Sequence, residues 1–263
     1  MTKRSTKKKY DDVKPWEMDS RRVNLDDSMP NRELKIKKIT PKNEAQTHYM
    51  RKINGSSIIF GVGPAGTGKT WIATVMAAQA LKNGLIDRVI VTRPSVEVGE
   101  SLGFLPGELE EKYEPYLRPV KDAFIDALGS GPTEYAIKAN QIEPRPLQFL
   151  RGATLRTWVI ADEMQNSTPT EMKMLLTRFG EGAKFIINGD IKQKDIPGKS
   201  GLEDALARLR DLPDVAICNF GRADIVRHGL VRNIIDRYEG TEGYFDSQEG
   251  LMAFLGNTVT QVN

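Results

Sequence analysis

The chain has one cysteine, Cys218, and two histidines, His48 and His228, in 263 residues. One thiol cannot close an internal disulfide, and so few soft ligands exclude a thiolate cluster and leave little from which to build a zinc site. Cys218 therefore reads as a small buried hydrophobe. Long apolar runs are also missing. Nothing in the sequence approaches the length needed to span a bilayer, and the basic start (Lys3, Arg4, Lys7, Lys8, Lys9) is not followed by the apolar stretch of a secretory signal. Membrane insertion and export are thus not expected, which places the chain in the cytoplasm, or in a host's cytoplasm if a phage encodes it. A one-signed charge is lacking too: 38 basic and 35 acidic residues leave a net charge of +3, so no global field announces a nucleic-acid partner.

Residues 1–40 are polar and charge-rich, with apolar positions too scattered to form a core, and read as a flexible extension. From Ile58 onward the pattern changes. Ser57–Val62, Arg88–Thr92, Thr157–Ala161, Lys184–Asn188 and Val215–Phe220 are short, almost continuous apolar runs, the pattern of strands buried on both faces. Helical stretches alternate with them at 71–83, 169–179 and 202–209. This alternation predicts an α/β fold with a mainly parallel sheet covered by helices on both sides. The proline-rich segment from about 97 to 151 breaks the rhythm and reads as an inserted subdomain; residues 246–263 read as a C-terminal tail.

Gly63-Pro64-Ala65-Gly66-Thr67-Gly68-Lys69-Thr70 follows the first strand and opens the first of these helices. Glycines at these positions let main-chain amides wrap a phosphate. Lys69 would reach the β- and γ-phosphates, and Thr70 would place its hydroxyl on Mg²⁺, so the chain reads as a P-loop NTPase. A second strand ends in Asp162-Glu163. Asp162 is the expected partner of Thr70 at the metal, and Glu163 the expected general base toward an attacking water. Asn188-Gly189-Asp190-Ile191-Lys192-Gln193 is a further polar strand end, in which Asp190 or Gln193 could sense the γ-phosphate.

Several blocks together resemble the PhoH family of ATPases, relatives of superfamily 1 helicases, in the minimal form found in bacteria and phages. They are Gly61–Thr70, Thr92-Arg93-Pro94, Gly99–Gly107, Tyr116–Pro119, Arg151–Leu155, Asp162–Asn166, Leu176–Arg178 and Gly189–Gln193, within residues 40 to 240. The resemblance implies a RecA-like domain over about residues 41–245 that binds and hydrolyses ATP with Mg²⁺. It also implies an association with RNA or another single strand, and a homo-oligomer such as a hexameric ring. By position it makes Gln46 the residue that reads the adenine edge and Gln193 the γ-phosphate sensor. Arg178, ahead of Arg227, becomes the arginine finger. Neither a nuclease domain nor a second RecA-like core is expected beside the first, so movement along a strand would need neighbouring subunits.

In the segment from 97 to 151, Lys112, Arg118, Lys121, Lys138, Arg145 and Arg151 are interleaved with Phe104, Tyr113, Tyr116, Phe124, Tyr135 and Phe149. Such a mixture suits sequence-tolerant single-strand binding, although the segment also carries many acids and aromatics at this spacing more often pack a small subdomain. Two other functions stay open at this point: an ATP-driven switch or scaffold for a protein partner, and a small-molecule kinase for whose acceptor no residue speaks.

Overall fold

The computed structural model describes residues 38–94 and 109–226, together with Arg237; for 109–117 only the backbone is described. Residues 1–37, the Gly99–Gly107 block with Phe104, the side chains of Lys112, Tyr113 and Tyr116, the pair Arg227-His228, and the tail 246–263 lie outside the described residues.

Six strands, β1 (Ile58–Val62), β2 (Val89–Thr92), β3 (Ile142–Pro144), β4 (Trp158–Ala161), β5 (Lys184–Gly189) and β6 (Val215–Asn219), form one sheet in the order β3-β2-β4-β5-β1-β6. Every pairing is parallel. Five of these strands are the apolar runs expected from sequence. Alternate residues along each run leave the sheet on opposite faces, and the two halves join different cores. Ile59, Val89, Val91, Ile160 and Ile186 pack with α1 (Glu44–Gly55), α2 (Lys69–Lys82), α3 (Leu109–Leu128) and α4 (Ser130–Lys138). Phe60, Ile90, Val159, Phe185 and Ile187 pack with α5 (Pro169–Leu176) and α6 (Gly201–Leu209). A continuous apolar strand is therefore what a sheet covered on both sides requires. Each fully buried Ile or Phe contributes about 1.5–3 kcal/mol of transfer free energy.

The segment expected as an inserted subdomain is joined to this body wherever it is described. Val120, Phe124, Ala127 and Leu128 of α3, Ala136 of α4 and Ile142 of β3 belong to the same core as α2 and β2. β3 extends the sheet at the outer edge of β2, where Pro144 costs no ladder bond on a far side. The segment is a long β2–β3 crossover. Phe124 is completely buried and Tyr135 packs against the same core, so these two aromatics hold the fold and do not present faces to bases. Phe149, between Arg145 and Arg151, is 55% exposed.

α1 has no counterpart among the sequence expectations. Asn43 caps it by accepting from the Gln46 amide at 2.8 Å, and Gln46, Tyr49 and Ile53 form its buried stripe. α5 stops at Leu176, three residues before the expected end; its start is fixed by a capping box between Thr168 and Glu171 with Pro169 at the first position. Cys218 is buried as expected.

Candidate nucleotide-binding site

Parallel strands end on one side, so the motifs that follow β1, β4 and β5 meet at one rim of the sheet. β5 lies between β1 and β4, which sets Asn188–Gln193 between the phosphate loop and the acidic pair.

The loop after β1 is built around its glycines. Gly63 has φ +142°, and a Cβ there would lie 2.2 Å from the Phe220 carbonyl oxygen, so no side chain fits between β1 and the end of β6. Gly68 takes a left-handed conformation at the N-cap of α2, whose first amides have no side-chain cap. That exposes a fourteen-residue helix N-terminus to an anion. The loop is also tied down. Gly63 N donates to Gly189 O at 3.1 Å, Val226 N donates to Gly66 O at 3.0 Å, and the Gln46 side-chain amide donates to Thr67 O at 2.9 Å.

Lys69 opens α2 and folds back into the loop. Its Nζ donates to Gly63 O at 2.7 Å, to Pro64 O at 2.8 Å and to the Thr67 hydroxyl at 3.2 Å. These carbonyls hold the ammonium where a phosphate would rest. Burial lowers its pKa, opposed by the charges of Asp162, Asp190 and Glu163. The next residue, Thr70, donates its hydroxyl to Asp162 Oδ1 at 2.9 Å, joining the two motifs across 92 residues of sequence.

Asp162 is 6% exposed. Burial, then the neighbouring Glu163, push its carboxyl up to about 6, against the Thr70 hydrogen bond and the charges of Arg93 and Lys69. Such a carboxylate, ionised at neutral pH at a cost, is primed for a cation. Glu163 takes a left-handed backbone conformation, φ 53° and ψ 37°, unusual for a residue with a side chain and frequent at functional positions. Its carboxylate is held from two sides: Arg93, just beyond β2, lies 3.6 Å from Oε1, and Gln165 Nε2 donates to Oε2 at 2.6 Å.

The chemistry of the donors suits Mg²⁺. A hydroxyl and a carboxylate are hard oxygen ligands, and Mg²⁺ commonly takes one or two protein oxygens together with substrate phosphates. Among the described residues no group of three or more His, Cys, Asp or Glu converges, as an all-protein cage would need. An open ligand set of this kind matches a metal that arrives with its nucleotide.

The structure thus brings together the loop Gly63–Thr70, Asp162 and Glu163. Gln193 sits at the same rim but is exposed, and its carbonyl accepts from Gln165 Nε2 at 3.2 Å. Gln46 is buried, and its side chain is engaged at both ends, Oε1 accepting from Lys42 N at 2.8 Å and Nε2 donating to Thr67 O. In this arrangement it braces the loop. Arg178 is elsewhere. Its carbonyl accepts from Leu155 N, ahead of β4, so it lies at the amino-terminal edge of the sheet, away from the rim that carries the site of its own chain. Its Nε is buried without a hydrogen-bond partner among the described residues. Arg93 and Gln165 were not assigned roles from sequence; Arg93 immediately follows the end of β2 at the rim, which is the signal that could have found it, whereas Gln165 lies past the acidic pair and takes its partners from the turn after β5.

Among the described residues no helix is long and apolar enough to cross a membrane. A family model described as PhoH-like protein matches residues 38–239. A PhoH-like protein of Bacillus subtilis (strain 168) is 49% identical over 208 residues, covering 78% of this chain and 65% of the relative. Protein PhoH of Escherichia coli (strain K12) is 44% identical over 205 residues, covering 76% of this chain and 58% of the relative. The chain therefore spans about three fifths of the length of these curated relatives. The crystal structure of Pif1 helicase from Candida albicans aligns with 83% of this chain and 47% of its own, at 15% identity and a TM-score of 0.41. The extent of the family match, which takes in every described strand and the whole phosphate loop, makes the chain a member of the PhoH family.

Proposed function

We propose that the chain binds Mg·ATP at Gly63–Thr70 and hydrolyses it. One observation supports this above the rest: the 2.9 Å bond between the Thr70 hydroxyl and Asp162, which joins a phosphate-loop helix to an acidic strand end beside Lys69 and Glu163. Lys69 would leave the Gly63 and Pro64 carbonyls for the β- and γ-phosphate oxygens, leaving loop amides to wrap the triphosphate. Thr70 and Asp162 would hold Mg²⁺, which neutralises charge on the phosphate oxygens. Glu163 would accept the proton of the attacking water, and Gln193 would report the γ-phosphate. Gln46 keeps an amide hydrogen and a lone pair beyond the bonds described, so an adenine contact is compatible with its brace. Arg178 would act on a neighbouring subunit, because the position of its backbone takes it away from its own site.

Single-stranded RNA or DNA is the proposed polymer partner, and a ring-shaped homo-oligomer the proposed assembly. Exposed Phe149 between Arg145 and Arg151 supports the former. The test of the ATPase reading is Glu163→Gln, measured by steady-state ATP turnover and by nucleotide affinity. Turnover should fall on the order of a hundredfold or more while affinity is kept. Unchanged turnover removes the general-base assignment, and a wild type that does not hydrolyse ATP but binds a protein partner only with nucleotide favours a switch. Turnover with and without poly-RNA tests the partner, and native mass with and without ATP tests the ring.

A further inference from the structure

Gln165 lies two residues beyond the acidic pair and is 1% exposed. Its side chain fills almost all of its hydrogen-bonding capacity at the site. Nε2 donates to Glu163 Oε2 at 2.6 Å and to the Gln193 carbonyl at 3.2 Å, and Oε1 accepts from Asp190 N at 3.0 Å. Its own carbonyl accepts from the Ser200 hydroxyl at 2.8 Å, at the start of α6. The seat is tailored: a Cβ on Gly189 would fall 2.7 Å from Gln165 Oε1 and 3.1 Å from its main-chain N. One amide group thus touches the proposed base, both ends of the short turn after β5, and no solvent.

We infer that Gln165 is the positioning residue that fixes the Glu163 carboxylate relative to the Asp190–Gln193 turn, so that movement of that turn is passed to the base. This rests on the ATP-hydrolysis reading above. The chemistry is specific. Only a side chain with two N–H donors and an acceptor satisfies a carboxylate, a carbonyl and an amide N–H together, and a primary amide has them. A charge-assisted bond of 2.6 Å is short and directional, so a shift of the turn that carries the amide re-aims the carboxylate. The left-handed backbone of Glu163 supports this role. Its side chain leaves a turn that the adjoining loop must hold in place.

Two substitutions separate positioning from packing. Gln165→Leu removes all three side-chain bonds at similar volume; Gln165→Glu keeps an acceptor for Asp190 N but loses both donors, to Glu163 and to the Gln193 carbonyl, and sets a second carboxylate beside the base. If Gln165 aims the base, both lower kcat for ATP on the order of tenfold or more, with KM for ATP changed less than about threefold. If kcat is unchanged in Gln165→Leu, which removes every side-chain bond to the base and to the turn, the inference falls. A second arm compares single-turnover rates in the Glu163→Gln background. There Gln165→Leu should cost less than about twofold, because residues acting as one unit are not additive. A full additional loss in that background overturns the inference. Melting curves with bound nucleotide identify any variant that fails to fold, and Gln165→Asn, which keeps the amide on a shorter arm, then takes its place and should show the same split between kcat and KM. Wild type without ATP turnover would defeat the ATPase reading; wild type with turnover, and variants that match it, would defeat the inference alone.

Discussion

Asp162→Asn should make the metal-free, nucleotide-free protein more stable at neutral pH, although it removes a residue proposed for catalysis. The carboxyl is raised from 3.8 to about 6, first by burial and then by Glu163. The native state therefore binds that proton more tightly than the unfolded chain does. Stability from this group is fully present below about pH 4, declines as pH rises from the unfolded value through about 6, and is lost above. At about 1.4 kcal/mol per pH unit, the interval from 3.8 to about 6 makes the ionised carboxylate cost about 3 kcal/mol at pH 8. Asn has no charge to bury, and its Oδ1 can still accept from Thr70. Urea unfolding in chelator should show Asp162→Asn ahead of wild type by up to about 3 kcal/mol at pH 8, with the difference shrinking toward zero near pH 4. Saturating Mg·ATP at about 100 times its Kd should add about 2.7 kcal/mol to wild type and far less to the variant. A variant less stable than wild type at pH 8, or a difference that does not change between pH 4 and pH 8, would refute the account of Asp162 as a charge held at a cost for a cation.

Two further substitutions test the scaffold of the site. Gly63→Ala should lower stability by about 3 kcal/mol or more and abolish nucleotide binding, read by melting and calorimetry, because the methyl meets the Phe220 carbonyl while the backbone requires positive φ. A stable variant that binds ATP normally would show that β6 can move away, against the 2.7 Å bond from Phe220 N to Val62 O. Tyr49→Phe removes the 2.6 Å bond to Asn188 Oδ1 beneath the loop, where Asn188 Nδ2 already has no partner among the described residues. Unfolding should show a loss of about 1–3 kcal/mol, and a neutral result would mean that water replaces the phenol.

Much of this architecture was legible in the letters because the strands are buried on both faces. β1, β2, β4, β5 and β6 are apolar almost without interruption, and no exposed strand would read so. β3 was hidden. Ile142-Glu143-Pro144 has three residues, a charge in the middle and a proline at its end, and only its pairing with β2 makes it a strand. α1 was hidden for the opposite reason: its exposed face is polar, and Gln46, one of its three buried residues, spends its polarity on the phosphate loop, though Asn43 and the spacing of Tyr49 and Ile53 mark it. The phosphate loop and acidic pair were legible by chemistry, since glycines, a lysine, a hydroxyl and two carboxylates have few other reasons to occur at strand ends. The Gln165 hub was not. An amide's partners are chosen by the turn after β5, and no local pattern records that choice.

The phosphate loop is held by elements on either side of it in the chain: Gln46 from the helix before β1, and Phe220 and Val226 from the segment beyond β6. A fragment cut between residues 46 and 58, or ended before 220, would keep every letter of the nucleotide motif and lose the props that shape it. The shape of the loop is therefore set by those props as much as by its own glycines, and a displacement of either flanking segment would reach the phosphate loop directly.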